Sequence, residues 1–254
     1  MCLIILAHRA VPGVPLAVAA NRDEFHARPT APAAFWRSHP GLLAGRDLEQ
    51  GGTWMGVTRG GRFAAVTNFR DPQRSAAAPR SRGELPLEFL TGDLSPQSYL
   101  DAVARRGELY AGFNLLVGDA TGLWYYDNSP GEAPQALEPG IYGLSNARLD
   151  TPWPKVELGK SRLRAQLVAG PDHDGLAAVV ADRSLARARD LHPQGLGDSG
   201  MERMLSAQFI VSDGYGTRCT TTCWIDARGV HWREQSFDPA GELAGEVTEA
   251  FALG

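Results

Sequence analysis

Four times along this chain a short turn bearing Gly or Pro splits a pair of apolar runs. Residues 2–7 and 16–20 flank RAVPGVP, and residues 53–58 and 62–68 flank RGG. Residues 112–117 and 123–126 flank GDATG, and residues 217–226 and 230–237 flank ARG. Each pair reads as a β-hairpin, and a further run, 141–145, follows a Pro-Gly pair. Hairpins join neighbours that run antiparallel, so the chain is restricted to antiparallel sheets.

Between the hairpins the period changes. Residues 83–90, 97–106, 161–168 and 175–189 repeat apolar side chains at three- and four-residue spacing, which predicts helices. Ser95 before Pro96 supplies an N-cap followed by Pro at the first helical position. Strands, helices, strands, helices and strands give an α+β protein with helices covering its sheets. Neither the early nor the late strands alone make a two-faced sheet system, so residues 1–254 are expected to form one domain. The stretch 71–82, DPQRSAAAPRSR, reads as a long surface connection.

Composition excludes several function classes. A net charge of -4 offers no electrostatic footprint for nucleic acid. No stretch reaches the ~18 consecutive apolar residues of a membrane span, and no basic segment precedes the short apolar run at 3–7. Three cysteines are too few for a disulfide framework. A soluble cytoplasmic protein acting on a small molecule is expected. The six His residues show no ligand spacing and there is no P-loop or G-x-G-x-x-G motif, so neither metal nor cofactor is expected. Cys219 and Cys223 lie four residues apart, about 13 Å along a strand, too far to share a metal or a disulfide.

The first hairpin carries the candidate chemistry. If His8 pairs with Leu16 across the turn, antiparallel counting puts Cys2 opposite Arg22. Alternation then turns Asn21 and Asp23 to one face and Arg22 and Glu24 to the other. A cysteine in this position is ordinarily a small buried hydrophobe. The NRDE run, however, places charge where an apolar strand would otherwise continue. Removal of Met1 would leave Cys2 with a thiol and a free α-amine, whose ordinary pKa of about 7.7–8 suits a base at neutral pH. A neighbouring guanidinium favours the thiolate, and Asp23 can orient the amine. Acyl transfer also needs oxyanion donors, for which Asn68 and Asn146, each ending an apolar strand, are candidates by type; the bland alternative is an Asn capping a turn. Arg218, entering a strand from a Gly-rich turn, can address a ligand carboxylate or Cys2 itself, or form a surface ion pair.

The ordered motifs NRDEF, GRDLEQGGTWMGV, AAVTNFRDP, SRGELPLEFL, FNLLVGD, YGLSNARLDTPWPK and YGTRCTTTCWID resemble the NRDE family, also called the transport and Golgi organisation protein family. That family resembles the Cys-type N-terminal nucleophile hydrolases, which implies a four-layer αββα sandwich of two antiparallel sheets. The resemblance implies that Cys2 is the nucleophile and Asp23 the acid that holds its amine. It makes Arg22 the arginine beside the thiol, Asn146 an oxyanion donor and Arg218 a late arginine near the nucleophile. The bile-salt hydrolase branch spaces its early Arg and Asp further apart. Adjacent here, the two face opposite ways unless a bulge intervenes, and Asn21 is an alternative for one role, with Asn68 a further substrate contact. The implied activity is hydrolysis or acyl transfer on an amide or thioester of a small acyl compound. The alternative, suggested by eukaryotic relatives linked to lipid metabolism and haem trafficking, is a carrier of haem or a lipid-like ligand.

Overall fold

The RAVPGVP turn closes in the expected register. β1 (Cys2–Val11) and β2 (Val14–Phe25) run antiparallel, with His8 opposite Leu16 and Cys2 opposite Arg22. Gly13, at φ 77°, takes the left-handed turn position that side chains resist. The computed structural model describes residues 2–70, 78–191 and 199–254. Most of the predicted connection at 71–82 therefore lies outside the described residues.

The chain continues with β3 (Thr30–Trp36), β4 (His39–Asp47), β5 (Met55–Thr58) and β6 (Phe63–Asn68). Helices α1 (Glu84–Thr91) and α2 (Pro96–Ala104) follow, then β7 (Phe113–Asp119), β8 (Gly122–Asp127), β9 (Gln135–Ala136) and β10 (Gly140–Leu144). Next come α3 (Pro154–Gln166), α4 (His173–Val179) and α5 (Ser199–Met204). The last strands are β11 (Tyr215–Asp226), β12 (Gly229–Phe237) and β13 (Leu243–Phe251).

These elements gather into two compact units. The first comprises Met1–Ala27, Pro139–Ala227 and His231–Glu249, and the second Arg28–Glu138, Arg228–Val230 and Ala250–Gly254. The first is built on a six-stranded sheet of order β10-β1-β2-β11-β12-β13. Its β1 and β2 are antiparallel to each other and to their outer neighbours β10 and β11. Leu3, Ile5, Ala7, Ala17 and Ala19 point to the face covered by Val156 and Leu163 of α3 and Leu176 and Val179 of α4. Burial of each large aliphatic side chain there stabilises the unit by roughly 1.5–3 kcal/mol.

The second unit is built on a seven-stranded antiparallel sheet, β3 to β9 in sequence order. Leu85, Phe89 and Leu90 of α1 and Tyr99, Leu100 and Val103 of α2 pack onto Leu42, Ala64, Val66, Phe113, Leu115 and Val117. Ser95 caps α2 as expected, its side chain accepting from the Ser98 amide at 3.2 Å. No helix among the described residues is long and apolar enough to cross a membrane.

Candidate functional site

Three side chains share one row across the first unit's sheet. Arg22 lies opposite Cys2 of β1 on one side and opposite Cys219 of β11 on the other. Direct cross-strand partners project to the same face, so the guanidinium stands between two thiols. Glu24 approaches Arg22 at 3.8 Å. Ser145, the residue after β10, places its Oγ 3.0 Å from the Cys2 carbonyl oxygen and 3.2 Å from Asn146 Oδ1. Its single proton is shared between those acceptors, and the contact ties buried Asn146 to the start of β1. With its Oδ1 turned to Ser145, the protons Asn146 has to offer are on Nδ2.

β2 keeps its regular pairing with β1 through Arg22, so Asn21 and Asp23 alternate to the helix-covered face with Ala17 and Ala19. Both are buried. Asn21 donates from Nδ2 to the carbonyls of Val180 and Gln208, each at 2.8 Å, and its Oδ1 accepts from Thr220 Oγ1 at 2.6 Å. It therefore fastens the loops after α4 and α5 to the sheet. Asp23 Oδ1 accepts from Thr217 Oγ1 at 2.7 Å, and its carbonyl accepts from the Tyr215 hydroxyl at 3.1 Å. β2 has no bulge in its pairing with β1 at the adjacent Arg-Asp pair, so Arg22 and Asp23 face opposite ways; the irregularity is on the facing strand, where β11 inserts Arg218 between Thr217, opposite Asp23, and Cys219, opposite Arg22. The bulge re-aims Arg218, whose Nη1 donates to the carbonyls of Phe25 at 3.0 Å and His26 at 3.2 Å.

The electrostatics follow from this burial. Desolvation pushes the Cys2 thiol up; the Asp23 carboxylate adds to that, while Arg22 and a hydrogen bond from the Asp23 backbone amide act the other way. Burial likewise pushes Asp23 above the usual carboxylate range, and Lys155, the Thr217 hydroxyl and Arg22 pull it back. Burial and neighbouring Arg22 lower Arg218. Cys219 is held well above an ordinary thiol by burial and by Glu234, and Cys223 is pushed up to about 12 by burial alone. Of the three thiols, only Cys2 has a backbone amide among the groups that favour its thiolate.

Cys2, Arg22, Asp23, Asn21, Asn146 and Arg218 all belong to the first unit. Asn68 belongs to the second, where it ends β6 opposite Phe113 and is exposed. Three groups at the site escape a reading of motifs: Thr217, Lys155 and buried Glu234. Lys155 had a signal, since a lysine directly after the Pro that opens a helix is set against the helix dipole. Among the described residues no group of three or more His, Cys, Asp or Glu is placed to hold a metal.

The family model described as Transport and Golgi organisation 2 matches residues 1–239. The chain belongs to that family. The human Transport and Golgi organization protein 2 homolog is 41% identical over 233 residues, covering 84% of this chain and 83% of that relative. The Bos taurus homolog is 39% identical over 230 residues with the same coverage. Among solved structures, a variant of the conjugated bile acid hydrolase from Clostridium perfringens matches with a TM-score of 0.55 at 10% identity, covering 98% of this chain and 97% of that one. The Caenorhabditis elegans N-acylethanolamine-hydrolyzing acid amidase ortholog matches with a TM-score of 0.50 at 11% identity, covering 80% of this chain and 97% of that one. At such identities the likeness is one of fold. It is an αββα fold with two antiparallel sheets, as the motifs led us to expect.

Proposed function

We propose that this Transport and Golgi organisation 2 family member is an N-terminal-cysteine hydrolase or acyltransferase acting on an amide or thioester of a small acyl compound. One observation carries the reading: Cys2 opens β1 directly opposite Arg22, with Ser145 and Asn146 at its carbonyl side. After removal of Met1, the freed α-amine takes the thiol proton as the sulfur attacks the acyl carbonyl. The nearby guanidinium favours the developing thiolate, and Asn146 Nδ2 is the donor offered to the oxyanion. The amine returns the proton to the departing nitrogen or sulfur. Water, or an acceptor nucleophile, then releases the acyl group from Cys2. Of the solved structures that share the fold, one is named a conjugated bile acid hydrolase and another an N-acylethanolamine-hydrolyzing acid amidase, which supports hydrolytic chemistry here. Asp23 orients the amine; Asn21 holds the loops beneath it.

Burial that raises the Cys2 thiol works against a permanent thiolate ligand for haem, so carriage of haem is the less favoured use of this site. Intact-mass analysis with a chloroacetamide probe tests the proposal. Met1 should be absent, and Cys2 should be labelled well before Cys219 and Cys223. Retention of Met1, or equal labelling of the three thiols, would overturn it. Haem absorption bands that vanish in Cys2→Ala, with no acyl-amide hydrolysis by the wild type, would favour the carrier.

A further inference from the structure

The first turn of α3 holds a side chain in a doubly costly position. Lys155 follows the Pro154 that starts the helix, and only 4% of it is exposed. A buried ammonium gives up its hydration, and a helix N-terminus already carries the positive end of the backbone dipole. Lys155 Nζ donates to the Leu205 carbonyl at 2.8 Å and lies 5.5 Å from the centre of the Trp153 ring. Those partners are a dipole and a ring quadrupole, and a cation held this deep calls for a full negative charge as well.

Asp23 supplies it. Among the described residues, the buried carboxylates of the first unit are Asp23 and Glu234. Of these, Asp23 shares the face of β2 that α3 covers, and its charge interacts with that of Lys155. The two are also fixed to each other through the chain. Gln208 Nε2 donates to the Lys155 carbonyl at 2.9 Å, and the Gln208 carbonyl accepts from Asn21 Nδ2 at 2.8 Å. Asn21 precedes Asp23 by two residues on the same face. Charged and titratable groups around Asp23 are the α-amino group and Cys2 from the start of β1, Arg22 from its own strand, Tyr215 from β11 and Lys155 from α3; of the charges that hold the carboxyl down, the α-amine comes first and Lys155 second.

We propose that Lys155 is a positioning residue of the Cys2 site: beside the α-amine it is a second, buried counter-charge that keeps Asp23 a carboxylate, and it acts through Asp23 without touching substrate. The inference rests on Cys2 being the nucleophile whose amine Asp23 orients. Without the lysine, Asp23 takes up a proton at higher pH and loses its hold on the amine.

The pH profile of Cys2 alkylation by iodoacetamide, read peptide by peptide so that Cys219 and Cys223 are separated, tests this. In Lys155→Met the acid limb should move upward by about one pH unit or more, and Lys155→Arg should restore it. In Asp23→Asn the limb set by the carboxylate is gone and only the thiol's own titration remains, so adding Lys155→Met should change the profile less than about twofold. A Lys155→Met profile that overlays the wild type, or one that shifts equally in the Asp23→Asn background, overturns the proposal. If Lys155→Met alone does not fold, the double variant, in which no charge is left uncompensated, should; its failure too would make Lys155 an anchor for the Leu205 loop and sink the inference. Wild-type Cys2 no more reactive than the other thiols would remove the nucleophile reading and this inference with it. A reactive Cys2 with an unmoved limb would remove this inference alone.

Discussion

Cys2 and Arg22 face each other across β1 and β2, and the guanidinium is among the groups that oppose the rise of the buried thiol. Replacing Arg22 with Met removes that opposition and keeps most of the packing volume. The Cys2 thiol should rise further, and its alkylation at pH 7 should slow by roughly tenfold for each pH unit of rise. Arg22→Lys should retain part of the rate. Stopped-time alkylation across pH 6–10 measures it, and an unchanged rate in Arg22→Met would show that the arginine does not act on the thiol.

How much of this pairing could be read in advance depends on which forces set each element. The register of β1 on β2 was legible because Pro12 and Gly13 fix the turn and the apolar runs leave one way to bury both strands. The placement of Asn21 and Asp23 on one face followed from alternation alone. The bulge at Arg218 was not legible, because an extra residue in β11 leaves no mark in its own composition. α4 was expected over 175–189 but ends at Val179. Beyond it the Asp182 carbonyl accepts from the amides of Gln208 and Phe209, tertiary bonds that replace a helical ladder and that no local pattern records. β3 and β4 contain Pro32 and Pro40, which read as breaks. β13 is exposed along most of its length, so its sequence carries no buried stripe to betray a strand.

A close backbone approach in the second unit gives a stability prediction. A Cβ on Gly52 would lie 2.4 Å from the Gly83 carbonyl oxygen, which itself accepts from the Thr53 amide at 3.0 Å. Neither backbone segment can yield without breaking that bond. Gly52→Ala should destabilise the protein by about 2–3 kcal/mol, the upper part of the range for overpacking a fitted contact. Gly122→Ala, where a Cβ meets nothing within 4 Å, is the control and should unfold within ~1 kcal/mol of wild type in urea. Equal midpoints for the two variants would refute the crossing.

Asp47 organises the loop after β4. Its Oδ2 accepts from Arg28 Nη2 at 2.7 Å and Nε at 3.1 Å, and its Oδ1 accepts from the amides of Glu49 and Gln50. Burial alone would raise this carboxyl, but the Arg28 bonds and the two amides hold it below the usual carboxylate range. A folded-state pKa below the unfolded one gives stability that is present above the unfolded value of about 3.9 and lost as pH falls through the folded value. Asp47→Asn should therefore unfold more readily than wild type at pH 6, with the gap closing as pH falls below 4. Acid titration followed by circular dichroism measures both chains, and a gap that persists undiminished at pH 2.5 would count against the ion pair.

His173 opens α4 against the sheet, and its imidazole makes stability depend on pH at milder acidity. Its Nδ1 lies 2.7 Å from Thr222 Oγ1, and its ring centre is 4.5 Å from that of Trp224. Burial, then the charges of Arg233 and His231, lower its pKa from 6.5 to about 4. Between those two values the unfolded chain binds a proton that the folded chain refuses. The contribution of neutral His173 is thus complete above about pH 6.5 and shrinks as pH falls towards 4. Because the ring is partly exposed, solvent screening reduces the effect to the order of 1 kcal/mol. His173→Gln has no such proton to bind, so its urea midpoint should fall less than that of wild type between pH 7.5 and pH 4.5. Parallel losses in the two proteins would mean that α4 docks on Trp224 without regard to the charge on this imidazole.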